Sequence, residues 1–262
     1  MNFLKQNGLS LFVTCMFLFL YLPIIILVAY SFNQGEFPHE WQGFSLHWYY
    51  DLFTLVEIWR AFHTSLIVAL SAAVLSLVLG MTIVYASRKL HTSILSLFYL
   101  NVISPDIALA VGLLSLFAYF VIPLGLVTLI IGHTVLGLGF AIPILKNRMD
   151  EMDERLIEAS YDLGATEWYT FFHVVLPFMY PALFVAALLV IIVSFDDFLI
   201  SFFCAGSSAQ TLSLYIFSMI RCGVSPIVNA LSTLMLVVSS IFVFGISWFN
   251  ISTFENQDGI SL

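Results

Sequence analysis

Long apolar stretches with few charged residues alternate with short polar loops along the whole chain. A helix needs roughly 20 apolar residues to cross a bilayer core of about 30 Å, so each stretch of that length is a candidate span. Six stretches qualify, at about residues 9–32, 61–87, 92–120, 126–145, 178–204 and 227–249. The pattern therefore predicts an all-α integral membrane protein with six transmembrane helices in a single domain, residues 1–262.

The region from Phe198 to Ile220 also lacks acidic and basic residues, but the polar run from Gly206 to Thr211 divides it into pieces too short to cross the bilayer. Irregular backbone persists at membrane depth only where protein or a cavity surrounds it. We therefore expect a partly re-entrant connection between the last two spans.

Lys and Arg residues near the span ends predict the orientation, because cytoplasmic loops carry an excess of them. Arg60 and Arg221 lie on one side, and six residues lie on the other: Lys5, Arg88, Lys89, Lys146, Arg148 and Arg155. Both termini are therefore expected in the cytoplasm, and residues 33–60 outside. This external loop carries four aromatic residues that favour an interfacial belt over a docking surface: Trp41, Trp48, Tyr49 and Tyr50.

Composition agrees with a membrane protein, since 61% of the residues are hydrophobic and 9% are charged. The net charge is −8, and no basic run is present that would neutralise a phosphate backbone, so a nucleic-acid partner is excluded. Cys15, Cys204 and Cys222 are odd in number and have no CxxC or His-rich spacing. Neither a disulfide framework nor a metal site is therefore indicated.

The loop of residues 146–177, between the fourth and fifth spans, carries the most specific pattern. Small or apolar residues recur there at helical spacing, namely Leu156, Ala159, Ser160 and Leu163. Acidic residues surround them. We expect Gly164 to end this helix in the left-handed conformation, a second short helix to run through Phe172, and Pro177 to mark the entry into the fifth span. A helix lying on the membrane surface would carry basic residues instead, so the acidic rim indicates a protein partner.

The spacing in this loop resembles the EAA loop of ABC importer permeases, which is Glu-Ala-Ala, three residues, Gly, nine residues, Ile, one residue, Leu-Pro. The matching positions are Glu158, Ala159, Ser160, Gly164, Val174, Leu176 and Pro177, with Ser160 replacing Ala and Val174 replacing Ile. The resemblance implies the type I (MetI-like) permease fold. It also implies that the loop is a coupling helix that docks on a separate ATPase subunit.

Further segments resemble the permeases of the spermidine/putrescine importers within this family: residues 21–26, 31–33, 41–44, 104–107, 162–165, 196–197 and 223–230. The implied function is a non-catalytic permease subunit that forms half of a polyamine path in a bacterial inner membrane. The implied partners are two copies of the ATPase, which holds ATP and Mg²⁺, a second homologous permease and an extracytoplasmic polyamine-binding protein. The chain itself is expected to bind no cofactor. Its lysines, Lys5, Lys89 and Lys146, do not follow Gly as a P-loop requires.

Three acidic residues lie within the predicted spans, Asp106, Asp196 and Asp197, and no Lys or Arg accompanies them there. A charge in hydrocarbon costs about 2.5–3.5 kcal/mol on insertion scales, so such residues usually face a cavity or a partner. The negative excess favours a path for cations. Ser104-Pro105-Asp106 is equally a good helix start, with Ser104 as N-cap and Pro105 as the first residue. Because Asp196 and Asp197 project about 100° apart on a helix, one can face the path while the other bonds within the fold.

Two lone histidines, His63 and His133, lie near predicted span ends. A histidine in such a position is usually hydrogen-bonded at a helix interface, and we expect this of both.

Three alternative functions stay open. The nearest is a related importer of another cation. An intramembrane aspartyl protease would use Asp106 and Asp196 as paired carboxylates, although the Tyr-Asp and Gly-x-Gly-Asp sequences of that family are absent. A channel or secondary transporter leaves the partner-facing loop unexplained.

Overall fold

The computed structural model describes residues 2–35, 40–90, 98, 103–222 and 226–241. The helices among these residues are α1 (Asn2–Tyr30), α2 (His47–Thr54), α3 (Val56–Leu90), α4 (Asp106–Tyr119), α5 (Leu126–Asp150), α6 (Glu154–Asp162), α7 (Glu167–Thr170), α8 (Leu176–Asp196), α9 (Leu199–Cys204), α10 (Leu212–Cys222) and α11 (Pro226–Ile241). In this part of the chain, the only β pairing is an isolated bridge between Asn33 and Phe44. The fold is mostly helical, as predicted.

Four helical stretches of the described residues are long and apolar enough to cross a membrane: Ser10–Tyr30, Val56–Arg88, Leu126–Asp150 and Glu167–Asp196. Three shorter apolar helices, α4, α10 and α11, accompany them. Most of residues 92–102 in the third predicted span, and residues 242–249 in the sixth, lie outside the described residues, as does the Gly223–Ser225 segment.

The fifth predicted span, residues 178–204, differs from a single helix. α8 ends at Asp196, and the short α9 starts only at Leu199. The polar run from Gly206 to Thr211 then separates α9 from α10. Gly206 has a φ of +61°, and a Cβ there would lie 2.6 Å from the carbonyl oxygen of Leu124, so this turn requires glycine.

The expected boundary at Pro177 is wrong, because α7 continues through a π-helical turn, Phe171–Val175, into α8 as one helix from Glu167 to Asp196. In this turn the Leu176 N–H bonds the carbonyl of Phe171, five residues back. Proline lacks an N–H and clashes with the carbonyl of a regular preceding turn. The wider π turn ends at Val175, two residues before Pro177, and the helix does not end there.

The chain forms two compact units, and the first comprises Met1–Trp59 with Ile216–Leu262. In its loop of residues 33–60, predicted to be external, the Trp48 indole donates to the carbonyl of Asn33 at 2.7 Å, and the Asn33 side chain accepts from the Gln42 N–H at 2.8 Å. The Tyr49 hydroxyl hydrogen bonds Ser31 at 2.7 Å. Two of the four aromatic residues predicted to form an interfacial belt thus also make hydrogen bonds within the loop.

The second unit, Arg60–Tyr215, contains two hydrophobic clusters. One lies among α3, α5 and α8 and includes Val84, Leu145 and Met179, while the other lies among α4, α5 and α9. Gly137 of α5 is essential to the first, because a Cβ there would meet Ser76 Oγ at 2.5 Å and Val190 Cγ1 at 2.7 Å. The three helices can approach this closely only without a side chain at that position.

Candidate functional sites

The break between α8 and α9 is built around Asp197. Its backbone is extended (φ −66°, ψ 126°), so the helix stops at Asp196. The Asp197 carboxylate accepts from the backbone N–H of Ser201 at 3.1 Å and of Ile200 at 3.4 Å, and thus caps α9. The Asp197 carbonyl accepts from the hydroxyls of Ser213 at 2.7 Å and Ser201 at 3.3 Å. The carboxylate and the carbonyl of Asp197, and two N–H groups of α9, are therefore satisfied at the break.

His133 of α5 lies against the same break and is fully buried, with 1% of its surface exposed. Its Nδ1 is 2.8 Å from the Ser194 hydroxyl, and its Nε2 is 3.3 Å from the Ser201 hydroxyl and 3.7 Å from Asp197 Oδ2. The expectation of a hydrogen-bonded interface histidine is confirmed for His133. The sequence did not indicate that His133 would lie beside Asp197, which comes 64 positions later in the chain.

The other two acids are exposed. Asp196 is the last residue of α8, and Asp106 is the first residue of α4. The predicted helix start is one residue early, because Pro105 takes the N-cap position and no side chain caps α4, Ser104 included. Both carboxylates lie near enough to Asp197 for their charges to interact with it. No ion pair among the described residues involves Asp106 or Asp196.

This arrangement suits a cation. The carbonyl end of α8 is the negative end of its helix dipole, and the exposed Asp196 adds a full charge there. Asp106 lies on α4, which packs against α9 across the break. Exposed carboxylates without basic partners can offer charge-assisted hydrogen bonds to an ammonium group.

The loop of residues 146–177, the predicted coupling loop, contains a helix, a turn and a second helix. Asp153 caps α6 by accepting from the Arg155 N–H at 3.0 Å. Gly164 has a φ of +83°, which confirms the left-handed end predicted for this helix. The Ala165 N–H then bonds the Ser160 carbonyl at 3.1 Å, so the turn closes on the last helical carbonyls.

The remaining residues of the EAA pattern divide between surface and interior. Glu158, Ala159 and Pro177 are exposed, and Leu176 is half-buried. Ser160 is half-buried because its hydroxyl hydrogen bonds that of Thr170 at 2.9 Å and so joins α6 to α7. A serine at the third position of the pattern thus has a defined contact.

A large apolar surface remains open on this loop. Leu163 is 88% exposed, Trp168 is 74% exposed, and Leu156 and Tyr161 are exposed as well. Ile157, which the sequence pattern did not single out, instead points inward and packs in the cluster of α3, α5 and α8. Exposed apolar residues beside exposed acids are typical of a surface that another protein covers.

Ionic and aromatic contacts attach this loop to the long helices. Arg88 of α3 pairs with Glu154 at 3.4 Å. Arg148 of α5 pairs with Glu151 at 2.6 Å, donates to the Phe178 carbonyl at 3.3 Å and lies 4.0 Å from the centre of its ring. The loop therefore has contacts with α3, α5 and α8.

Comparison with known proteins identifies the class of this one. The profile of the family described as "Binding-protein-dependent transport system inner membrane component" matches residues 72–251, and the chain belongs to this family. It is thus a multi-pass permease of the inner membrane, as the resemblance of the EAA loop implied.

Individual relatives narrow the comparison. The chain is 36% identical to the "Spermidine/putrescine transport system permease protein PotC" of Haemophilus influenzae over 234 residues, which cover 87% of this chain and 90% of that protein. It is 35% identical to PotC of Escherichia coli K12 over 236 residues, 88% and 89% of the two chains. It is 31% identical to the "Putrescine transport system permease protein PotI" of Escherichia coli K12 over 252 residues, which cover 92% of this chain and 89% of that protein.

A solved structure confirms the fold. The crystal structure of a bacterial ABC transporter that imports the acidic polysaccharide alginate contains a chain similar to this one, with a TM-score of 0.71 over 94% of this chain and 95% of that one. At 15% identity, this likeness bears on the fold alone. Nothing in these comparisons favours the aspartyl protease or the channel.

Proposed function

We propose that this chain is a permease subunit of an ATP-driven importer for the polyamines spermidine and putrescine, and that it forms half of the translocation path. The single observation that carries the substrate class is the pair of exposed carboxylates beside the α8–α9 break, Asp106 at the start of α4 and Asp196 at the end of α8. The sequence identity of this chain with PotC and PotI supports the same assignment.

The three acids take different roles in this proposal. Asp106 and Asp196 replace water around the ammonium groups of the substrate as it passes. Asp197 instead maintains the break, because its carboxylate is already occupied by two backbone N–H groups. A polyamine carries several separated charges, and two carboxylates on different helices can bind two of them in turn.

The proposed partners follow from the coupling loop. An ATPase subunit, present in two copies and holding ATP and Mg²⁺, covers the exposed apolar residues of α6 and α7. The six residues assigned to this contact are Glu158, Ala159, Ser160, Gly164, Leu176 and Pro177. A second homologous permease completes the path, and an extracytoplasmic binding protein delivers the polyamine. The chain itself is proposed to be non-catalytic, with no bound cofactor, and to have both termini in the cytoplasm.

The test is polyamine uptake by complexes carrying Asp106→Asn or Asp196→Asn, which remove the charge and keep the shape. Uptake per assembled complex is expected to fall at least tenfold in one of them, while basal ATP hydrolysis persists. Glu57→Gln is the matched control, because it removes an exposed acid in the first turn of α3 that is not assigned to the path. Wild-type uptake by both Asn variants would refute the cation path.

A further inference from the structure

His133 connects the two sides of the α8–α9 break. Ser194 lies on α8 before the break, Ser201 lies on α9 after it, and the imidazole is within hydrogen-bonding distance of both hydroxyls, at 2.8 Å and 3.3 Å. The ring comes from α5, a helix with its own packing contacts to α8 and to α9. One buried side chain therefore contacts both helices at the point where the chain changes direction.

The hydrogen bonds of this cluster are consistent with one arrangement of protons. The Ser201 hydroxyl donates to the Asp197 carbonyl, so its oxygen accepts from His133 Nε2–H. Nδ1 of a neutral imidazole is then an acceptor, and it takes the proton of the Ser194 hydroxyl. In this tautomer the Nε2–H also lies on the side of the Asp197 carboxylate, 3.7 Å away. Each member of the cluster has a partner, which makes the arrangement rigid.

The hydrogen-bonded cluster of His133 can affect the acids of the path, because the helices that it joins carry or contact both exposed carboxylates. α8 carries Asp196 at its end, whereas α9 packs against α4, which begins with Asp106. The geometry of the break therefore controls where the two exposed carboxylates lie relative to each other. A polyamine that contacts both would be sensitive to a small change in that geometry.

We infer that His133 is a positioning residue: it locks the break between α8 and α9, and through it sets the placement of Asp196 relative to Asp106. The inference rests on the proposed function, because it assigns the effect of His133 to the carboxylates of the path. His133 itself is buried and does not contact the substrate.

Two substitutions separate the two contacts of the ring. In His133→Asn the amide reaches the position of Nδ1, so the contact with Ser194 is kept and that with Ser201 is lost. In His133→Gln the amide nitrogen reaches the position of Nε2 and can donate to Ser201. Uptake per assembled complex is expected to fall about tenfold in either variant, an effect on the order of one lost buried hydrogen bond, because the break is locked only when both contacts are made.

A double-mutant cycle with Asp196→Asn distinguishes positioning from a general structural role. If His133 acts through Asp196, His133→Asn lowers uptake in the wild-type background but adds little to Asp196→Asn. Ser201→Ala removes the same contact from the α9 side, and it is expected to behave like His133→Asn. If the histidine variant does not assemble, uptake by the Ser201→Ala variant tests the inference in its place.

Three results would overturn the inference and leave the proposed function intact: normal uptake by His133→Asn while Asp196→Asn is impaired, additive losses in the double variant, or a loss confined to the amount of assembled complex. Normal uptake by Asp106→Asn and Asp196→Asn would instead refute the proposed function, and the inference with it. Basal ATP hydrolysis is measured throughout and is expected to stay unchanged, because the coupling loop is untouched.

Discussion

Asp196 and Asp197 are neighbours in the sequence, yet the Asp196 side chain is exposed at the end of α8 while that of Asp197 is 7% exposed and caps α9. The difference follows from a single backbone step. Asp196 still belongs to the helix, whereas the extended conformation of Asp197 turns its carboxylate back onto the N–H groups of the next helix. This difference in surroundings is why we propose that Asp196 serves the substrate and Asp197 the fold.

This separation predicts opposite phenotypes for the two alanine variants. Asp197→Ala removes a cap, and the complex is expected to lose about 1–2 kcal/mol of stability, because two N–H groups lose their acceptor. Asp196→Ala should leave stability unchanged and reduce uptake. Thermal unfolding of the purified complex, measured beside polyamine uptake, checks both. A complex destabilised by Asp196→Ala and unaffected by Asp197→Ala would reverse these roles.

Gly164 offers a test of coupling that is free of steric effects. A Cβ added at this position meets nothing within 4 Å, so only the positive φ opposes a side chain. Gly164→Val is expected to strain the turn by roughly 1–2 kcal/mol or more, and to lower uptake together with substrate-stimulated ATP hydrolysis. Gly164→Asn is the control, because asparagine tolerates the left-handed conformation. Equal activity of the Val and Asn variants would show that the turn is not required.

The exposed apolar surface of the coupling loop predicts weaker association with the ATPase when it is made polar. Leu163→Ser is expected to reduce the amount of ATPase that co-purifies, without altering the thermal stability of the permease, because Leu163 contributes little to its core. Leu46→Ser, at another exposed leucine in the loop proposed to be external, should leave co-purification unchanged. If both variants retain the ATPase equally, this surface is not the docking site.

The proposed orientation places α2 outside and α6 inside. Single cysteines at Tyr50, which is 72% exposed, and at Asp162, which is also exposed, are expected to react with an impermeant reagent from opposite sides. The measurement uses a background without Cys15, Cys204 and Cys222. Labelling of both positions from outside would contradict the orientation.

The sequence predicted those features that depend on local chemistry. Gly164 was expected in the left-handed conformation because glycine alone adopts it without strain, and the structure agrees. The exposed apolar residues of α6 were anticipated from helical periodicity in the same way. Both arguments need only a few neighbouring residues.

Features that depend on tertiary packing were not predictable. Pro177 was expected to mark a helix boundary, but a π turn before it lets the helix continue. Which of the two adjacent acids would be buried depends on where α8 stops and on the hydroxyls of Ser201 and Ser213, which come from other elements. The role of His133 likewise depends on a contact across 64 residues of sequence.

The uninterrupted helix from Glu167 to Asp196 makes α7 and α8 a lever. It has 30 residues. At 1.5 Å per residue it is about 45 Å long, so a tilt of about 5° at one end would displace the other by about 4 Å. Trp168 lies near one end of this helix and Asp196 at the other, and the hydrogen bond between Ser160 and Thr170 ties the lever to α6. In the proposed importer, a small movement of the ATPase would thus produce a displacement about as long as the contact between a carboxylate and an ammonium group.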